Sequence, residues 1–229
     1  MIESSKYSVD QEGLRQENPS SQPLGSRIFG QIISYLFHPL FISTYVAGFL
    51  LFLHPFAFAG FSDQLKFFRF ASVIVSTALL PAFGVFLMWR LKLVITSLQM
   101  KTQQERIIPY AISMIFYFWV WYVFKNLSDS PVEIRLFLLG AFLSVCAAWL
   151  LNILMRVSMH TTAMGCLLIF FLLLAFREPV FNGPYLSLAI LATGLVTTSR
   201  MIVSDHTSKE IYTGLLAGGL AQIIATWFV

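Results

Sequence analysis

Long apolar runs separated by short polar stretches set the pattern of this chain from about residue 29 to residue 229. A helix needs roughly 20 apolar residues to cross the hydrocarbon core of a bilayer. Reading for such runs, and for their interruption by charge, Gly or Pro, places spans near 29–53, 69–91, 107–124, 136–155, 158–176, 184–203 and 211–229. Lipid offers the backbone no hydrogen-bond partners, so spans of this composition are helices. The expected fold class is all-α, a polytopic transmembrane helix bundle of about six to seven spans. Ahead of it, residues 1–28 form a polar N-terminal tail without the apolar stretch and small-residue cleavage site of a secretory signal, so the first span is expected to stay as an anchor.

Alternating spans sort the polar segments by side. Segments 92–106, 156–160 and 200–210 all emerge on the face of the N-terminal tail. The opposite loops carry Asp63, Lys66, Lys125, Asp129, Glu133, Arg177 and Glu178, with His54 as their one histidine and no comparable spacing. The motif face also holds the larger share of Lys and Arg, even with Lys101, Arg106 and Arg200 set aside, which favours the cytoplasmic side.

Composition narrows the class. Hydrophobic residues make up 57% of the 229 and charged residues 11%. The net charge of +4 comes from scattered basic residues with no long Lys/Arg run, which points to a bilayer as partner and gives no sign of nucleic-acid binding. Cys146 and Cys166 fall inside predicted spans and read as small apolar packing residues. Gly214, Gly218 and Gly219 form a small-xxx-small pattern that lets a neighbouring helix approach the last span closely. No internal repeat is visible, and oligomeric state is not encoded in any feature of the chain.

The candidate chemistry lies in Ser199 to Glu210, between two apolar runs. Arg200 can clamp phosphate oxygens, His206 can attack phosphorus, and Glu210, one helical turn later, can hold the imidazole in its reactive tautomer. His160 and His206 each stand at the expected start of a span, where free backbone N–H groups and the helix dipole favour an anion. Plainer roles compete. Thr207-Ser208-Lys209-Glu210 is also a capping box, in which Glu210 only satisfies backbone donors. Arg200 can snorkel to the interface, and Lys101 and Arg106 can be ordinary loop charges among headgroups. His38-Pro39, near the same face, reads more simply as a proline kink than as a site residue. The sequence offers none of the clustered His, Cys and carboxylate spacing that a zinc site requires, so no metal and no cofactor is expected.

Ser199-Arg200, five residues, His206, three residues and Glu210 together resemble the third signature of the type 2 phosphatidic acid phosphatase superfamily, Ser-Arg-x5-His-x3-Asp, with Glu210 in the aspartate position. Ser158-Met159-His160-Thr161 is similar to the second signature, Pro-Ser-Gly-His, with Val157 for proline and Met159 for glycine. Lys101 followed by Arg106 and Pro109 partly matches the first, Lys-x6-Arg-Pro. The resemblance covers a phosphatase-like core at about 93–229 within the membrane-embedded domain 29–229. It implies an integral membrane phosphatase that hydrolyses a lipid phosphate or diphosphate through a phosphohistidine, without metal. His206 would be the nucleophile, Glu210 its orienting carboxylate and His160 the acid and base. Arg200, Lys101, Arg106, Ser158 and Ser199 would hold the phosphoryl group. If the chain is bacterial, the inner membrane is the expected location. The alternative is an inactive, phosphate-binding relative serving as a membrane transporter or scaffold, which would account for the altered first and second signatures. Among lipid phosphates the sequence does not choose.

Overall fold

The computed structural model describes residues 7–9, 15–17, 23–91, 103–177, 179–204 and 206–229. Two short strands, β1 (Tyr7–Val9) and β2 (Arg15–Glu17), pair antiparallel ahead of the helices. Eight helices follow among the described residues: α1 (Leu24–Leu36), α2 (Pro39–Leu53), α3 (Asp63–Arg90), α4 (Gln103–Asn126), α5 (Val132–Leu151), α6 (Met159–Arg177), α7 (Pro179–Val203) and α8 (Ser208–Ala225). The protein is an all-α helical bundle, as the run pattern predicts.

Local chemistry sets the helix starts, often a few residues before the apolar run does. Ser62 caps α3 by accepting from the Leu65 N–H at 3.3 Å, and Asp63 in the first turn complements the helix dipole. The helix therefore begins at residue 63, where apolar content alone suggests 69. Glu133, in the first turn of α5, complements the dipole as Asp63 does, while Pro131 stands at the cap position without a side-chain bond. Five helices, α3 to α6 and the stretch Phe181–Val203 of α7, are long and apolar enough to cross a membrane. A multi-pass membrane protein follows from these lengths. Its outward side chains agree, since Phe68, Ile115 and Leu216 are each about two-thirds exposed and would face lipid.

Two predicted spans differ from expectation. The run 29–53 is not one helix. It breaks at Phe37-His38 into α1 and α2, inclined by 58°, because Pro39 cannot continue the ladder of α1 and instead starts α2, with His38 as its cap. The pair makes a sixth span only if counted together. The run 211–229 becomes α8, which starts earlier at Ser208 and falls outside the span criterion; Lys209, Glu210 and Gln222 dilute its apolar content.

One face of this helix packs closely against α5 and α6, while Leu216 and Leu220 on the other face are exposed. Glycine allows the approach. A Cβ on Gly218 would stand 1.8 Å from the Thr162 carbonyl oxygen, and one on Gly165 of α6 would stand 2.0 Å from the Leu215 carbonyl oxygen. The expected small-xxx-small contact is thus made, with Gly165 completing it from the other side. Gln222, fully buried, accepts from the Cys166 thiol at 3.2 Å and donates to the Leu136 carbonyl at 3.3 Å, so α8 is also held by polar bonds.

Candidate functional site

Hydrogen bonds between helix ends bring the three polar segments together at one end of the bundle. The Ser158 N–H donates to the Glu210 carbonyl at 3.3 Å, and the Thr161 hydroxyl donates to the Ile211 carbonyl at 2.8 Å. The Arg106 Nη1 donates to the Val157 carbonyl at 3.3 Å, and the Asn152 amide donates to the Gln103 carbonyl at 2.9 Å. These bonds fix the start of α4, the α5–α6 turn and the start of α8 relative to one another.

Glu210 performs both roles that its sequence position allows. Its backbone N–H donates to the Thr207 hydroxyl at 3.2 Å and its Oε2 accepts from the Thr207 N–H at 3.0 Å, completing the capping box. The same Oε2 lies 3.2 Å from His206 Nδ1, while Oε1 accepts from the Arg156 N–H at 3.2 Å and faces its Nε at 3.8 Å. A carboxylate only accepts, so His206 carries its proton on Nδ1 in this contact and keeps the lone pair on Nε2. Burial pushes the His206 pKa below its ordinary 6.5. The bond to Glu210 opposes that shift, and the nearby positive charges of Arg106 and Arg200 add to it.

His160 is placed by a different element. Its Nε2 lies 3.2 Å from the carbonyl oxygen of Ser34, in the last turn of α1. Arg200 Nη1 reaches the Ser34 hydroxyl at 3.5 Å. The turn comes this close because α1 rests on α7 at a glycine: a Cβ on Gly30 would stand 2.8 Å from Val203 Cγ1.

His38 belongs to the cluster as well. The expected kink is present, with His38 Nδ1 accepting from the Leu40 N–H at 3.4 Å ahead of Pro39. The ring also packs edge-on against His160, with centroids 5.3 Å apart and planes at 82°. The kink reading is therefore incomplete, and the His-Pro pair at the tail-side end of a span was the signal available for it. Ser204, which had no assigned role, shapes the α7–α8 turn: its hydroxyl bonds the Arg200 carbonyl and accepts from the His206 N–H at 3.4 Å.

The remaining candidates divide. Arg106 is buried at the site end. Ser158 is fully buried and its hydroxyl has no partner among the described residues. The Ser199 hydroxyl, in contrast, donates back to the Leu195 carbonyl of its own helix at 2.7 Å, and its backbone contacts α1 at Gly30, so its position is one of helix packing. Lys101 lies outside the described residues. Among the described residues no three His, Cys, Asp or Glu side chains are grouped to hold a metal ion.

Beside the polar cluster lies a cavity of about 400 Å³ between α2, α3, α4, α5 and α6. His38, Tyr110 and Met159 line its polar end, and Phe137, Ala141, Val145 and Ala163 are among its apolar walls. His38 is the link, because it lines the cavity and packs on His160. A scan of protein-family models found no match to this chain, and searches of curated proteins and of solved structures found none either.

Proposed function

We propose that this protein is an integral membrane phosphatase acting on a lipid phosphate or diphosphate, as its resemblance to the type 2 phosphatidic acid phosphatases implies. The observation that carries the reading is the pair His206–Glu210 at 3.2 Å, on one bundle end with His160, Arg200 and Arg106. An anion binder needs only guanidiniums and helix ends. A histidine held as the Nδ1–H tautomer by a carboxylate is the preparation a nucleophile needs.

In this reading His206 Nε2 attacks phosphorus and forms an N–P bond as the bond from phosphorus to the lipid oxygen breaks. His160, as imidazolium, gives its proton to that leaving oxygen. Now neutral, it takes a proton from the water whose oxygen attacks the phosphohistidine, so that the N–P bond breaks and inorganic phosphate leaves. Arg200 and Arg106 offset the charge on the phosphoryl oxygens, and the Ser158 hydroxyl offers a further hydrogen bond. Glu210 stabilises the His206 charge that develops.

One observation favours a second reading. Ser34 occupies both His160 and Arg200, which suits a closed state or an inactive, phosphate-binding relative. The deciding experiment is phosphate release from a panel of lipid phosphates by the purified protein in detergent, without added metal, with His206→Ala beside the wild type. Release that disappears in the variant supports the enzyme. No release from any lipid, with both proteins folded, leaves the inactive relative. The face of the membrane is separable: the Lys/Arg excess favours the cytoplasmic side, and an impermeant reagent should then label a cysteine introduced in the 54–66 loop on intact cells.

A further inference from the structure

The cavity next to the cluster has features that the phosphate chemistry does not use. Its volume is about 400 Å³, within the range of small-molecule sites, and none of its lining residues carries a full charge. The hydroxyls in its walls are largely satisfied by the helices that bear them. Ser144 donates to the Gly140 carbonyl at 2.7 Å and Thr162 to the Ser158 carbonyl at 3.0 Å. Apolar walls with internally bonded hydroxyls favour hydrocarbon over water. The polar end differs. There the Tyr110 hydroxyl is buried, lines the cavity and has no partner among the described residues, and the His38 ring connects the cavity to His160.

We infer that this cavity is the tail site of the lipid phosphate, that it takes one hydrocarbon chain, and that the substrate is a single-chain lipid phosphate. The inference rests on the phosphatase reading. Volume decides the number of chains. A volume of about 400 Å³ is near the lower bound of small-molecule sites, which suits a single hydrocarbon chain. The neck decides the orientation. A phosphate held by Arg200 and His206 leaves its first ester or bridging oxygen near His38 and Tyr110, whose hydroxyl then gains the acceptor it lacks, and the chain continues between Ala141 and Ala163. On the α3 side Ala82 and Phe86 line the cavity while exposed to the lipid, which gives a chain a way in from the bilayer.

The test uses the full chain in detergent and measures binding apart from turnover. Dodecyl phosphate, farnesyl phosphate and dipalmitoyl phosphatidate are titrated by native mass spectrometry against the wild type and against Ala141→Trp, which fills the cavity. Ala82→Trp, at the lipid-exposed rim, serves if the buried variant does not fold. Hydrolysis of the tailless para-nitrophenyl phosphate is followed in parallel and reports on the phosphate site alone. The expected result is that the single-chain ligands bind, that either variant weakens them about tenfold or more, and that para-nitrophenyl phosphate hydrolysis is unchanged. Whether dodecyl or farnesyl phosphate binds tighter separates an acyl from a prenyl source. Tight binding of the phosphatidate, or single-chain binding indifferent to both tryptophans, overturns the inference and leaves the phosphatase reading standing. Loss of para-nitrophenyl phosphate hydrolysis in the wild type counts against the phosphatase reading, and the binding arm still decides the tail site.

Discussion

The two ends of the bundle each hold a histidine that caps a turn through Nδ1, and the surroundings of the two rings differ completely. His54 accepts from the Phe56 and Ala57 N–H groups at 3.3 and 3.1 Å, and its ring sits among Phe49, Phe56 and Phe181 with centroids 5.4 to 6.0 Å away. His38 accepts from the Leu40 N–H in the same manner, but its ring faces His160, with Arg200 close enough to act on it electrostatically. One end is closed by aromatic packing. The other gathers three guanidiniums, three imidazoles and a cavity. Identical capping chemistry thus says nothing about chemical use, which depends on what the rest of the ring meets.

If the ends are specialised in this way, substitutions should separate activity from stability. His206→Ala should remove phosphate release by about a thousandfold or more, with little change in thermal unfolding. His54→Ala should do the reverse, lowering stability by about 2 kcal/mol through the lost cap and ring packing while turnover per folded molecule stays near wild type. Equal effects of both on activity would break the contrast. His160→Ala should cost about 10²- to 10⁴-fold, with the loss largest for substrates whose leaving oxygen is most basic. A loss that ignores the leaving group would remove His160 from the role of acid.

The next effect is on pH dependence. Burial holds the His206 pKa below 6.5, and the proposed mechanism uses the neutral ring as nucleophile, so the acid limb of kcat/KM should lie below 6.5. The Glu210 carboxylate favours the imidazolium and raises that pKa, so Glu210→Gln should move the limb to still lower pH as well as slow the reaction. A limb moving to higher pH would contradict the contact between them. His38→Asn should give the smallest effect. Asparagine keeps a side-chain acceptor for the α2 cap, so folding should be retained, and a several-fold change in KM measured with single-chain substrates would mark the ring as part of the site.

Much of the fold is legible because membrane insertion makes a strong demand on composition. The runs that became α3 to α7 are readable from hydropathy, and α8 from its glycines. What was not legible came from contacts between helices distant in sequence. The kink at His38-Pro39 was legible from the proline, but the seat of α1 on α7, at Gly30 beside Val203, joins residues far apart in sequence. The close approach of α8 to α6 depends on backbone contacts at Gly165 and Gly218. Within the site, the capping box announces the contact, since Glu210 folds back over the start of α8 toward His206, which stands just ahead of the helix. Ser199 looks equally placed in the motif, yet its hydroxyl turns back to Leu195, a choice made by the crowding of α1 against α7.

The sequence by itself determined that this chain makes apolar helices able to span a membrane, that its polar segments share one face, and that Glu210 stands one turn from His206. All three follow from local periodicity and from the cost of polar groups in hydrocarbon. Only the tertiary structure decided that Ser34 lies on His160 and Arg200, that His38 joins the cluster, and that a cavity of about 400 Å³ opens beside it. Those depend on which helix surfaces meet, and close packing at glycines, summed over many weak contacts between distant residues, leaves no periodic mark in the chain.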